Sequence, residues 1–220
     1  MNRKRFRAQD YITALVITML VFLIGVLLGN YVSSIKLNSL TGLGKELELQ
    51  TLGTQIKFDL LTESFTCDNE SLESNVQLTA ELRDLGNKLT YMESKLGQDD
   101  PNVLMIKEYY HLLEIQHWRY TKQLKEKCNQ TYNTVLFFYA KTKDCPNCED
   151  QGEILTYAHK EYLSFNTYSF DIGIDNPALN TLKDMYGVET APTVVVNGKT
   201  YEGFKDKDAL LAILSEHKII

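Results

Sequence analysis

Two cysteines in the motif Cys145-Pro146-Asn147-Cys148 have the most evident chemistry in this sequence. Two thiols at this spacing can form a disulfide and exchange it with other thiols, or they can supply half of a four-cysteine zinc site. The sequence contains four cysteines, so a zinc site would also need Cys67 and Cys128. The spacing by itself leaves thiol chemistry and metal binding both open.

The elements around this motif predict where its sulfur atoms lie. Residues 135–140 form a short, continuous apolar run, which predicts a buried strand, and a helix is predicted from the motif to about residue 163. Cys145 would then lie at a helix N-terminus, where free N–H groups and the helix dipole lower a cysteine pKa from about 8.5 to about 3.5–7.5. Cys145 is therefore the predicted nucleophile. Cys148 is predicted to attack the resulting mixed disulfide and release the substrate.

The rest of residues 130–220 predicts an α/β domain. Ala191-Pro192-Thr193 leads into the apolar run Val194–Val196, and Asn197-Gly198 is a strong hairpin signal. The other predicted elements are a strand at 168–172, a helix at 176–187, a strand at 200–203 and a helix at 205–217. The predicted order is β-α-β-α-β-β-α.

This order, with C-x-x-C at the first strand-to-helix junction and a proline opening the third strand, resembles the thioredoxin superfamily. The resemblance implies a thiol–disulfide oxidoreductase that needs no metal or organic cofactor. It also implies that Pro192 is cis and packs against the cysteines, and that Ala191, Pro146 and Asn147 shape a substrate groove. The alternative for Pro192 is a trans residue at a strand edge.

The sequence departs from the family pattern in the strand before the motif and between the two cysteines. Thioredoxins carry a buried acid in the strand before the motif, and the equivalent position here is Phe137. The proton of Cys148 must then pass to water or to another group. Pro146-Asn147 also differs from the Gly-Pro of reducing thioredoxins. This difference predicts a more oxidising cysteine pair, with a reduction potential of about −200 to −120 mV rather than about −270 mV.

The N-terminal segment predicts a membrane anchor. No residue from Tyr11 to Ile35 is charged, and the span at 11–34 is long enough to cross a bilayer as a helix. Four basic residues in the tail at 1–10 predict a cytoplasmic N-terminus, which places residues 36–220 outside the cytoplasm. A cleaved signal peptide is the alternative, and it would also export the chain.

Residues 35–129 predict a helical stalk. Alternating spacings of three and four, typical of a coiled-coil seam, join Leu78, Leu82, Leu85, Leu89, Met92 and Leu96. A break at 97–101 separates two arms, 69–96 and 101–128, which predicts an antiparallel hairpin. Cys67 and Cys128 then lie at the same end. In an oxidising compartment this favours a disulfide worth about 4 kcal/mol, with two free thiols as the alternative.

The sequence as a whole thus predicts a single-pass cell-membrane protein that forms, isomerises or reduces disulfides in exported proteins. By resemblance, a membrane redox partner would reset its cysteine pair. The alternative is a structural or adaptor protein that binds partners through its stalk and a thioredoxin-like platform. The seam also allows a homodimer. A net charge of −6 argues against nucleic acid as a partner.

Overall fold

The computed structural model describes residues 8–63, 66–128, 130 and 132–220. The described chain divides into two compact units, Met1–Glu46 and Leu47–Ile220. Its helices are α1 (Ala8–Glu63), α2 (Asn69–Leu96), α3 (Pro101–Cys128), α4 (Cys148–Tyr162), α5 (Pro177–Tyr186) and α6 (Lys207–Glu216). Its strands are β1 (Asn133–Tyr139), β2 (Phe165–Asp171), β3 (Thr193–Val196) and β4 (Lys199–Glu202).

The first unit contains the apolar part of α1. Tyr11–Tyr31 is long and apolar enough to cross a membrane, with a mean hydropathy of 2.7, and its side chains are exposed. The Thr18 hydroxyl donates to the Ala14 carbonyl at 2.8 Å, so this polar group is satisfied within the helix. Residues 1–7 of the predicted basic tail lie outside the described part of the chain.

Helices α2 and α3 form an antiparallel hairpin in the second unit. The Asp68 carboxylate caps α2 by accepting the Ser71 N–H at 2.9 Å, and Asp100 caps α3 by accepting the Asn102 N–H at 2.8 Å. Gly97 ends α2 with a φ of 92°, which favours glycine. The facing sides of the two helices bury a row of apolar residues that includes Leu78, Leu82, Leu85, Leu89, Met92, Val103, Ile106, Leu113 and Leu124.

The four strands form one mixed sheet in the order β2-β1-β3-β4. Strand β1 pairs parallel with β2 and antiparallel with β3, and β3 pairs antiparallel with β4 through the Asn197-Gly198 turn. This topology, with its β-α-β-α-β-β-α order, confirms the predicted thioredoxin-like fold. Strand β2 begins at Phe165, earlier than the predicted residue 168, because Phe165 is buried and pairs with Asn133.

The two faces of the sheet have different covers. On one face Val135 and Phe137 join the core beneath α4 and α6, together with both cysteines of the motif. On the other face Leu136 and Phe138 pack with Trp118 from α3 and with residues of α5. Helix α3 is therefore part of the core of the thioredoxin-like fold, and the predicted boundary at residues 129–130 falls within one compact unit.

Candidate thiol–disulfide site

Cys145 and Cys148 form a disulfide at the start of α4, with an S–S distance of 1.98 Å. The helix begins at Cys148, three residues later than predicted. The reason is a preceding turn in which the N–H groups of Asp144 and Cys145 donate to the Lys141 carbonyl at 2.8 and 2.9 Å. Cys145 thus precedes the first helical turn, and Cys148 is its first residue.

The disulfide is nearly enclosed, whereas the residues between the cysteines are exposed. Cys145 is 3% exposed and Cys148 is 6% exposed, but Pro146 and Asn147 face solvent. The N–H of Ala140, just beyond β1, donates to the Cys148 sulfur at 3.4 Å. A hydrogen bond of this kind favours sulfur in its thiolate form, so it would stabilise Cys148 when the disulfide opens.

The Ala191–Pro192 peptide bond is cis and immediately precedes β3. Pro192 is buried, and the half-buried Ala191 packs against the apolar cluster that contains both cysteines. Strand pairing holds Ala191 near the cysteines, because Thr193 pairs with Phe138 on β1, the strand that leads to the motif. The fold therefore brings the predicted groove residue Ala191 to the cysteine cluster.

A cavity of about 640 Å³ extends from Cys148 to the helical hairpin. Phe137, at the position of the family's buried acid, lines it and is itself buried. The charged and polar groups in this cavity come largely from α3: Lys107, His111 and Glu114. These groups lie outside the segment that carries the sequence resemblance.

Lys107 is a buried ammonium group in this cavity, with a side chain that is 3% exposed. It forms ion pairs with Glu93 of α2 and with Asp171 at the end of β2, the second at 3.5 Å. Its ammonium nitrogen also lies 5.8 Å from the centre of the Tyr139 ring. The ion pairs compensate a charge that would otherwise be costly to bury.

His111 and Glu114 bind the backbone of β2. The Asp171 N–H donates to His111 Nε2 at 3.2 Å, and the Ser169 N–H donates to Glu114 Oε1 at 3.0 Å. Burial, together with the positive charge of Lys107, lowers the pKa of His111 to about 3, so the ring is neutral. Because Nε2 accepts, the ring proton is on Nδ1, which lies 3.3 Å from Glu114 Oε2 and donates to it.

The Glu114 side chain is buried, and burial raises the pKa of its carboxyl group well above the usual range. Hydrogen bonds from the Ser169 N–H and the Tyr110 hydroxyl oppose this rise but do not cancel it. Burial therefore favours the protonated form of this acid, which can release its proton when a nearby group becomes a stronger base.

The sequence prediction did not assign these residues to the site. Lys107, His111 and Glu114 follow one another at spacings of four and three, so they share one face of α3. This spacing could have indicated that the three polar side chains act together. A polar helix face more often meets solvent, however, and only the packing against β2 identifies this one as buried.

The tip of the hairpin also contacts the loop before the motif. The Lys141 ammonium group pairs with the Asp99 carboxylate, which lowers the pKa of Asp99 through the hydrogen bond and the charge of Lys141. Because Lys141 also accepts the Cys145 N–H, this ion pair joins the hairpin tip to the turn that holds the predicted nucleophile.

At the opposite end of the hairpin, the structure joins Cys67 and Cys128 in a second disulfide, with an S–S distance of 2.04 Å. The four cysteines are thus arranged as two separate pairs. Within the described ranges, no group of three or more His, Cys, Asp or Glu side chains is arranged to hold a metal ion.

Several solved structures are similar to the thioredoxin-like part of this chain. They include a malarial protein (21% identity, 39% of this chain and 97% of that chain, TM-score 0.33). An uncharacterised thioredoxin-like protein from Clostridium perfringens is 23% identical, over 44% of this chain and 88% of that chain, with a TM-score of 0.36. Oxidised thioredoxin O2 from Arabidopsis thaliana is 18% identical, over 45% of this chain and 86% of that chain, with a TM-score of 0.34. No protein-family model and no curated protein sequence matches the chain.

Proposed function

We propose that this chain is a membrane-anchored, extracytoplasmic thiol–disulfide oxidoreductase that acts on exported proteins. The observation that carries the proposal is the Cys145–Cys148 disulfide at the start of α4, in one cluster with Ala191 of the cis Ala191–Pro192 bond. A helix start and a nearby backbone donor, Ala140 N–H, both favour thiolate over thiol at this place.

In the oxidising direction, a substrate thiolate attacks the Cys145 sulfur and the Cys145–Cys148 bond breaks. Cys148 leaves as a thiolate, and the substrate is held to Cys145 by a mixed disulfide. A second substrate thiolate then attacks that bond, so the substrate gains a disulfide and the protein becomes a dithiol. In the reducing direction, the Cys145 thiolate attacks a substrate disulfide, and Cys148 resolves the intermediate.

The exposed parts of the site support an extended protein substrate. Pro146 and Asn147 are exposed beside the disulfide, and the half-buried Ala191 has backbone groups next to β3. An extended segment could lie along these groups as an added strand. After each cycle the cysteine pair must be reset, and we assign that step to a membrane redox partner that binds the same exposed face.

The direct test is trapping with the full chain in detergent micelles. Reduced Cys148→Ala should form a stable mixed disulfide between Cys145 and insulin, a substrate that contains disulfides. The matched control Cys145→Ala removes the nucleophile and should trap none. If Cys148→Ala traps no insulin and the wild-type protein does not accelerate insulin reduction, the oxidoreductase proposal is wrong. Continued binding of specific partners would then favour the adaptor alternative.

The location is tested separately, with a membrane-impermeant maleimide on intact cells. After mild reduction, the reagent should label Cys145 from outside the cell, because Tyr11–Tyr31 would anchor the rest of the chain on that side. Labelling that requires permeabilised cells would place the site in the cytoplasm and overturn this part of the proposal.

A further inference from the structure

Cys148 and Glu114 line the same cavity, although they belong to different parts of the fold. Cys148 begins α4, and Glu114 projects from α3 toward the edge of β2. At about 640 Å³ the cavity has room for several water molecules, each of which occupies about 30 Å³ in the liquid. Phe137, which lines the same cavity, has no group that can accept a proton.

The other acids of this cavity are less suited to exchange a proton with Cys148. Glu93 and Asp171 both form ion pairs with the Lys107 ammonium group, so each already has a cationic partner. Glu149 lies exposed in the first turn of α4, where water is a competing proton source. Glu114 differs because it is 3% exposed and its hydrogen bonds come from the neutral donors Ser169 N–H and His111 Nδ1–H.

We propose that Glu114, a residue of the helical hairpin, exchanges a proton with Cys148 through the cavity that both residues line. The inference rests on the proposed oxidoreductase function. It gives the hairpin a role in the chemistry of the cysteine pair and fills the place of the acid that Phe137 replaces.

The step balances in both directions. When a substrate thiolate attacks Cys145, the sulfur of Cys148 leaves with the bonding electron pair and takes the proton of the Glu114 carboxylic acid. In reverse, the Glu114 carboxylate accepts the proton of the Cys148 thiol, and the resulting thiolate attacks Cys145 and releases the substrate as a thiolate. The substrate's thiol or disulfide is the redox partner in each case.

Other titratable groups share this environment. On its own helix Glu114 shares the cavity with Lys107, Tyr110, His111 and His117. The groups on other elements are Arg83 and Glu93 (α2), Tyr139 (β1), Lys141 (the loop after β1), Glu149 and His159 (α4), and Tyr168 and Asp171 (β2). Tyr110, Tyr139 and Tyr168 remain neutral because burial raises the pKa of each. A pH profile of the wild-type protein alone is therefore insufficient, and the test must compare variants of Glu114.

The experiment titrates Cys148 by itself in the full chain. In Cys145→Ala, the rate at which iodoacetamide alkylates Cys148 is followed by peptide mass spectrometry from pH 5 to 10, with and without Glu114→Gln. The Glu114 carboxylate opposes ionisation of the neighbouring thiol, so Glu114→Gln should lower the pKa of Cys148 by about one unit. The matched control is Asp150→Asn, an exposed acid two residues from Cys148 that should have a much smaller effect because solvent screens it.

A kinetic measurement separates this inference from the proposed function. Wild-type oxidised protein should oxidise dithiothreitol at pH 7 about 100-fold faster than Glu114→Gln, while Asp150→Asn should resemble wild type. If wild type exchanges disulfides and Glu114→Gln matches it in rate and in Cys148 pKa, the relay is wrong and the function stands. If wild type shows no exchange, the function itself fails.

A second measurement uses unaltered protein, in case Glu114→Gln does not fold. The reduced-minus-oxidised infrared difference spectrum should show the loss of a protonated carboxyl band on reduction, because Glu114 gives its proton to Cys148. Labelling with ¹³C-glutamate should shift that band, and ¹³C-aspartate should not. A spectrum without a glutamate carboxyl band would overturn the inference.

Discussion

The side chain of His111 accepts the backbone N–H of Asp171 through Nε2 at 3.2 Å, which joins helix α3 to the edge strand β2. Glu114 does the same for the N–H of Ser169 at 3.0 Å. An edge strand exposes unpaired N–H groups that can pair with other chains, and here two of them are satisfied by a helix. The hairpin therefore completes the sheet of the thioredoxin-like fold as well as covering one of its faces.

The buried ion pairs of Lys107 provide the first stability prediction. Lys107→Ala leaves the Glu93 and Asp171 carboxylates without their counter-charge, so we expect the free energy of unfolding to fall by about 3–5 kcal/mol. The measurement is urea unfolding of the full chain in detergent. The control is Lys122→Ala, which removes an exposed pair with Glu126 at 3.9 Å and should cost less than about 0.5 kcal/mol. Equal losses of unfolding free energy in the two variants would contradict the stabilising role of the buried ion pairs.

The close approach of Gly86 to Tyr110 provides the second stability prediction. A Cβ atom at Gly86 would lie 2.8 Å from the Tyr110 hydroxyl oxygen, which bonds Glu114. Gly86→Ala should therefore destabilise the protein by about 1–3 kcal/mol despite the better helix propensity of alanine. Gly53→Ala, where a Cβ meets nothing within 4 Å, should stabilise it by up to about 1 kcal/mol. Chemical unfolding of both variants should show changes of opposite sign in the free energy of unfolding. The double variant Gly86→Ala with Tyr110→Phe, which removes the crowded hydroxyl, should recover part of the loss.

Local sequence signals were sufficient for the elements that present the cysteines. The apolar run at 135–140, the C-x-x-C motif and the proline before the third strand each have a direct counterpart in β1, the start of α4 and the cis Ala191–Pro192 bond. These features are local because a buried strand and a tight turn each constrain the residues that form them. The start of α4 was less predictable, because the turn at Lys141–Cys145 competes with the helix for the same N–H groups.

The role of the hairpin could not be predicted in the same way. The apolar seam of α3 indicates packing against α2, and its second face, which includes Lys107, His111, Glu114 and Trp118, reads as a mixed polar surface. That face is buried because Trp118 packs against the sheet, β2 offers free N–H groups and Asp171 offers a charge. Such partners are distant in sequence, so the local hydrophobic periodicity of α3 does not predict them.

The ion pair between Asp99 and Lys141 predicts a change in cysteine reactivity. Asp99→Asn removes a negative charge and leaves the Lys141 ammonium group unpaired near the turn that holds Cys145. Both changes favour the thiolate, so reduced Asp99→Asn should react faster with iodoacetamide at Cys145 below pH 7, and added salt should reduce the difference. Glu126→Gln makes the same change of charge on the exposed surface of α3 and should leave the rate as in wild type. Equal rates for Asp99→Asn and wild type would count against the contact.

The two disulfides should differ in what they contribute to stability. Cys67 and Cys128 are 61 residues apart, so Cys67→Ser with Cys128→Ser should lower the free energy of unfolding by about 4 kcal/mol in the chain-entropy estimate. Cys145→Ser with Cys148→Ser opens a far shorter loop and should cost about 2 kcal/mol. Urea unfolding of the two double variants gives the comparison. A larger loss for the Cys145 and Cys148 variant would show that loop length does not decide the order.

The buried imidazole of His117 predicts how stability changes with pH. Burial lowers the pKa of His117 to about 4, and its Nδ1 atom lies 3.0 Å from the Tyr168 hydroxyl oxygen. In the unfolded chain the histidine pKa is about 6.5, so the unfolded state binds more protons between these two values. Stability should therefore be highest above about pH 6.5, fall by an amount on the order of 3 kcal/mol as the pH drops to about 4, and lose no more from this group below that.

His117→Gln retains a polar side chain but does not titrate, so its unfolding free energy should vary less between pH 6.5 and 4 than that of wild type. The control for a less buried histidine is His217→Gln, because His217 is half-buried at the C-terminal end of α6, where it bonds the Tyr201 hydroxyl at 2.9 Å. Urea unfolding at half-unit pH steps measures all three proteins. A His117→Gln profile parallel to that of wild type would show that His117 is already protonated in the folded protein, and would contradict its burial as the neutral ring.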